Sequence, residues 1–173
     1  KYRKIPIDKE DLRTVLSFPR ISYDELVPMN REIIRKFIDF ANTTEKAKLL
    51  VQASSGLRNQ EVCGLRKRDI QTDTTRWAIH VSAKLGKGSK ARITFISNET
   101  RRFLKPIIDK LEQDDLIFAS SKTSLYHAKQ YELKKFDRLR EKVGLTEKYD
   151  SSNKYKYSTH SFRAFFVTSA EKV

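Results

Sequence analysis

Apolar residues recur at helical intervals through most of this chain and at strand intervals in one stretch only. That single switch constrains the fold more than any other feature. After Asn30, a residue suited to cap a helix, Ile33, Ile34, Phe37, Ile38 and Ala41 share one helical face. A second helix starts at Thr43 or Thr44, turns Ala47, Leu50, Val51 and Ala53 inward, and stops at Gly56, where a helix C-cap belongs. A short helix over Asn59 to Leu65 follows. The period then drops to two. Residues 76–84 set Trp77, Ile79 and Val81 against Ala78, His80 and Ser82. Residues 91–97 set Ile93 and Phe95 against Arg92, Thr94 and Ile96. Gly86 and Gly88 permit a tight turn between them, so the pair reads as a hairpin with a lysine-rich tip. Residues 67–70 offer a third strand.

Helical spacing returns with Asn98 as the expected cap, Phe103, Leu104, Ile107 and Ile108 inward, and a kink expected at Pro106. Residues 116–119 form a short apolar stretch. Leu125 to Val143 reads as a long basic helix stopped by Gly144, and residues 145–157 lack periodicity and read as a loop. Thr159 is the expected cap of a last helix carrying His160, Phe162, Arg163, Phe166 and Val167. The expected class is mainly α with a small antiparallel β-sheet, an α+β arrangement. Residues 1–28 are broken by Pro6, Pro19 and Pro28, with one short helical candidate from Lys9 to Leu16. They read as a basic arm or linker from an upstream domain, with residues 29–173 as the main domain. The opening Lys1 suggests a piece of a longer protein.

Composition narrows the function. Lys and Arg number 36 against 22 Asp and Glu, a net charge of +14 over 173 residues. Such a surplus sets up a surface potential of several kT and points to a polyphosphate partner, DNA or RNA. The basic residues are spread along the chain, which favours a broad cationic face over a basic tail. No apolar run nears the roughly 18 residues of a membrane span, and no secretory leader opens the chain. The single cysteine, Cys63, forms no internal disulfide, and no Cys/His cluster has zinc spacing. A reducing cytoplasmic setting fits.

Three basic motifs carry candidate chemistry. In the run Ser54 to Leu65, Gly56 ends one helix and Arg58 opens the next. Free N–H groups and the helix dipole attract an anion there, and a guanidinium fork matches phosphate oxygens. In the run Lys84 to Arg92, Lys87 sits on the hairpin tip and can hand a proton to a leaving oxygen. In the run Thr159 to Phe166, His160 and Arg163 lie three apart on one helical face, an imidazole and a guanidinium suited to a phosphoryl group. Taken alone, each motif reads more readily as a surface arginine near a turn, a solvated lysine-rich turn, or a capping-turn histidine with a surface arginine.

In combination and in this order, the motifs resemble the catalytic domain of tyrosine recombinases of the phage-integrase type. The matching residues are Gly56, Leu57, Arg58 and Glu61; the stretch around Lys87 with Lys90 and Arg92; and His160 with Arg163. The arginine and paired phenylalanines after the histidine are most similar to archaeal or viral integrases, although Ala164 stands where many relatives carry His. The resemblance implies that Arg58 and Arg163 grip the non-bridging oxygens of the scissile phosphate, that Lys87 protonates the departing 5′ oxygen, and that His160 assists proton transfer. Glu61 becomes a supporting residue. It further implies a 3′-phosphotyrosine intermediate, no metal, nucleotide or other cofactor, and integration or excision of a mobile element. Implied partners are duplex DNA with a specific attachment site and further copies of the protein assembling on it as dimer or tetramer, with no membrane. Phosphate contacts are expected from Lys84, Lys90, Arg92, Lys122, Lys129, Lys134, Lys135 and Arg138.

The family's nucleophilic tyrosine lies well downstream of His-x-x-Arg, together with a His or Trp, and only ten residues follow Arg163. The seven tyrosines all precede that motif, and Tyr155 and Tyr157 read as loop aromatics. The chain as given is therefore expected to bind DNA without cleaving it. A non-catalytic DNA-binding module of the same descent, a type IB topoisomerase relative and, more remotely, an RNA-binding protein are the competing expectations.

Overall fold

The computed structural model describes residues 27, 29–85, 90–120 and 123–171. The arm expected over residues 1–28, the hairpin tip carrying Lys87, and Lys122 lie outside these, apart from Val27. The backbone N–H of Val27 donates to the Tyr149 hydroxyl at 2.9 Å.

The described elements run α1 (Arg31–Phe40), α2 (Thr43–Ser55), α3 (Asn59–Cys63), a 3₁₀ turn (Lys67–Asp69), β1 (Ile70–Gln71), β2 (Ala78–Val81), β3 (Arg92–Phe95), α4 (Asn98–Ile108), α5 (Leu125–Val143) and α6 (Thr159–Ala170). The three strands form one antiparallel sheet in the order β1-β2-β3, with Ile70 opposite Ile79 and Val81 opposite Arg92. The mainly helical α+β class holds. The segment expected as a third strand is mostly a 3₁₀ turn, and only its last residue, Ile70, enters the sheet. The turn wins there because Asp69 accepts from the backbone N–H of Arg66 at 2.9 Å, a local side-chain bond that competes with a strand ladder.

Two caps fall one residue earlier than expected. Ser97 caps α4 by accepting from the Thr100 N–H, and Ser158 caps α6 by accepting from the His160 N–H. In each case the serine supplies a short hydroxyl just ahead of the first turn. Pro106 sits in the last turn of α4, which continues to Ile108 and stops two residues later.

Two apolar clusters hold the chain together. One gathers Val51, Leu57, Val62, Leu65, Trp77, Ile79, Val81, Leu104 and Phe118 between the sheet, α2, α3 and α4. The other gathers Ile34, Phe37, Leu49, Phe136, Leu139 and Phe162 between α1, α2, α5 and α6. The helix α2 contributes to both, so it is buried nearly all round; Lys48, Gln52 and Ser55 are buried with its apolar residues. In the second cluster the Phe37 and Phe136 rings stack at 5.1 Å, and Phe162 meets them edge-on at 5.8 and 6.0 Å. Burying Phe162 completely stabilises by roughly 1.5–3 kcal/mol. It also sets the rotation of α6, and with it the direction of the next residue, Arg163.

Candidate active site

The seam between the two clusters carries the site. At its centre, α2 ends at Gly56 with φ of +65°, a left-handed conformation that costs glycine little. A second constraint acts on the same residue. A β-carbon at position 56 would lie 2.3 Å from Cδ1 of Phe166 on α6, so the bare Cα lets α6 pack directly on the α2–α3 junction. Arg163, one turn before Phe166, donates from its guanidinium to the Gly56 carbonyl. The residues expected from two motifs 107 positions apart in sequence thus meet at one bend of the chain.

Arg58 stands at the N-terminal end of α3. Its backbone N–H donates to Glu61 Oε2 at 2.7 Å and its guanidinium to Glu61 Oε1 at 3.2 Å. Glu61 is completely buried, and Arg92 on β3 clamps it with two further bonds of 3.0 and 2.6 Å. Burial pushes the Glu61 carboxyl up, but hydrogen bonds from Arg92 and Arg58 and the Arg92 charge outweigh it and hold the group below the usual 4.5. Arg163 is shifted down by burial first and then by the charge of Arg58, with Arg92 adding and Glu61 opposing. Three guanidinium groups around one carboxylate leave the cluster with a surplus of two positive charges. Arg58 keeps more than a third of its side chain exposed, so part of that charge faces solvent.

His160 is exposed in the first turn of α6, one turn before Arg163 and on the same face. Lys84 and Lys90 are exposed at the two ends of the undescribed tip that holds Lys87. The other candidate contacts divide. Lys134 and Arg138 are exposed on α5 and Lys129 is half-buried there. Lys135 is engaged, with Glu132 at 3.3 Å and over the Tyr131 ring at 4.7 Å. Arg92 presents no free fork, since Glu61 occupies both of its arms. Tyr155 lies in the loop before α6 with the Arg140 guanidinium 3.4 Å from its ring centroid.

Two features escaped the sequence reading. The first is the Arg92–Glu61 clamp: Arg92, Thr94 and Ile96 alternate with Ile93 and Phe95, and the structure turns the arginine's side of β3 inward while Ile93 and Phe95 are exposed. An arginine on an inward face calls for a buried acid. The Lys48–Glu132 ion pair, at 2.8 Å and buried on both sides, links α2 to α5 and had no sequence signal, because its partners are 84 residues apart.

A mostly helical domain with a three-stranded antiparallel sheet and clustered arginines at a helix junction is the catalytic-domain fold of the tyrosine recombinases. Solved structures share it. The XerA recombinase superposes with a TM-score of 0.67 at 23% identity, covering 89% of this chain and 52% of that one. The XerH site-specific recombinase in its pre-cleavage complex with difH substrate gives 0.62 at 19%, covering 88% and 45%. The Tn1549 transposon integrase in complex with circular intermediate DNA gives 0.64 at 16%, covering 87% and 56%. The chain spans about half the length of these proteins. Comparison with curated proteins finds no match. Residues 28–170 match the model of the phage integrase family, and the chain belongs to that family, whose members are tyrosine recombinases that cut and rejoin DNA. No helix among the described residues is long and apolar enough to cross a membrane.

Proposed function

We propose that this chain is the catalytic domain of a site-specific recombinase that binds duplex DNA at an attachment site and serves the integration or excision of a mobile element, of archaeal or viral type. The observation that carries the reading is the Arg163 bond to the Gly56 carbonyl, two residues from Arg58, which supports bringing two of the three motifs to one phosphate. In this reading Arg58 and Arg163 hold the two non-bridging oxygens of the scissile phosphate. A tyrosine hydroxyl attacks the phosphorus, the bond to the 5′ oxygen breaks, and Lys87 delivers a proton to that oxygen. His160 assists proton transfer at the nucleophile or phosphate. The 3′-phosphotyrosine conserves the bond energy, so attack by a second 5′ hydroxyl reverses the step and joins new ends. Charge grows on the equatorial oxygens in the transition state, and two guanidinium groups held at one bend of the chain meet it, Arg58 turning from Glu61 to the phosphate. Loss of one such donor typically costs 10²–10³ in rate.

None of the seven tyrosines takes the position that the family pattern reserves for the nucleophile, so in this reading the attacking hydroxyl is not one of theirs. Further copies of the protein assemble with it on DNA. The test has two arms. This chain alone binds duplex DNA in preference to structured RNA, with a log–log salt slope of about −0.9 per phosphate neutralised. The whole protein forms a DNA adduct that survives denaturation, and Arg58→Ala abolishes it. A flat salt response, or an adduct untouched by Arg58→Ala, contradicts the proposal.

A further inference from the structure

We infer that Arg92 is a positioning residue that frees Arg58 for the phosphate by satisfying Glu61, and that it does not itself contact DNA. The inference rests on the reading that Arg58 and Arg163 hold a phosphate. The geometry is specific. Glu61 has no exposed surface, and four donor contacts from two residues converge on it: the backbone N–H and guanidinium of Arg58, and both arms of Arg92. The Arg92 contacts of 3.0 and 2.6 Å are shorter than the side-chain contact from Arg58 at 3.2 Å. A planar fork facing both oxygens of a carboxylate is the strong arrangement, and a single longer contact is the weak one. The carboxylate is therefore held by Arg92 and by the backbone, while the Arg58 side chain is the partner that can leave.

That division of labour solves a problem inherent in the site. An uncompensated carboxylate three residues from Arg58 would capture its guanidinium and repel the incoming phosphate. Without Glu61, in turn, the three arginines would repel one another across the bend of the chain. Glu61 supplies one negative charge and Arg92 neutralises it, so the charge facing solvent is that of Arg58 and Arg163. The groups facing Glu61 are Arg58 from its own helix, Arg92 from β3, and Arg163 across the seam from α6.

The test uses the full chain and sulfate, a phosphate stand-in that stays dianionic between pH 4 and 7, with binding followed by NMR shifts. Arg92→Gln leaves Glu61 to Arg58 and weakens sulfate binding about tenfold at pH 7, the size of one lost charged hydrogen bond. The double variant Arg92→Gln with Glu61→Gln recovers most of that loss. In Arg92→Gln alone, the deficit relative to the parent shrinks as acid protonates Glu61 and releases Arg58. The comparison with the parent cancels any gain from His160. A direct contact between Arg92 and the anion would leave the deficit intact in the double variant and at every pH, and either result overturns the inference. Should Arg92→Gln not fold, Arg92→Lys keeps the charge and loses the fork. A loss of about threefold, recovered by Glu61→Gln, then supports the same conclusion, and a loss that Glu61→Gln does not recover overturns it. If instead Arg58→Ala and Arg163→Ala bind sulfate like the parent, the phosphate-site reading itself has failed, a result distinct from failure of the Arg92 role.

Discussion

Replacing Gly56 by alanine tests the junction on which the site is built, and Gly144 provides its control. Both glycines end helices in the left-handed region, at φ of +65° and +74°. An L-residue there costs roughly 1–2 kcal/mol. At Gly144 nothing lies within 4 Å of an added β-carbon, so Gly144→Ala should cost about that and no more. At Gly56 the new methyl would meet Phe166 at 2.3, 2.8 and 2.9 Å, all from one ring. Phe166 has little freedom to turn away, because the fully buried Phe162 one turn earlier fixes α6. Overpacking of this kind adds roughly 1–3 kcal/mol, so Gly56→Ala should cost about 2–5 kcal/mol in total. Against a domain stability of about 5–15 kcal/mol the difference is easily resolved. Urea denaturation with unchanged slope reads both variants, and Gly56→Ala with Phe166→Ala should recover the clash portion as a favourable coupling. Equal losses for Gly56→Ala and Gly144→Ala, or a double variant whose losses simply add, would refute the close packing of α6 on the α2–α3 bend.

Other consequences follow from particular contacts. Lys48→Met should destabilise by about 3–5 kcal/mol, because it strips a buried Glu132 of its closest partner, and Lys48→Met with Glu132→Leu should regain most of it; chemical denaturation of the three variants decides. Phe162→Ala should cost about 3–5 kcal/mol by opening the aromatic cluster, again read from the denaturation midpoint. Glu61 has a pKa held below its ordinary 4.5, so its ionised form contributes stability that is complete above that value and is lost as pH falls through the lower folded value. Glu61→Gln should therefore be much less stable than the parent at pH 7 and approach it in strong acid, and a gap that stays constant across that range would contradict the clamp.

Much of this fold could be read before any coordinates because its local signals agree with its tertiary contacts. The 3.6-residue spacing of Ile34 and Phe37, the cap at Asn30 and the glycine stops at 56 and 144 each decide an element within a few residues. Arg58, His160 and Arg163 stand out as candidates by motif order, and the structure brings the segments of Arg58 and Arg163 together. What remained hidden depends on pairings distant in sequence. The spacing of the charged residues in α2 does not show that Lys48 would be buried against Glu132 rather than solvated. In β3 the charged residue faces inward and the apolar Ile93 and Phe95 face out, against the usual sense of strand patterning, because Glu61 waits beneath the sheet. Arg92 thus looked like one more surface cation among many.

In the proposed reaction two guanidinium groups share one phosphate. A double-mutant cycle on duplex DNA at fixed salt, with Arg58→Ala, Arg163→Ala and the pair, measures that sharing. Each single variant should weaken binding, and the pair should weaken it by less than the product of the two losses, with a coupling of at least about 0.5 kcal/mol. Losses that multiply strictly, or no loss in either single variant, would contradict it.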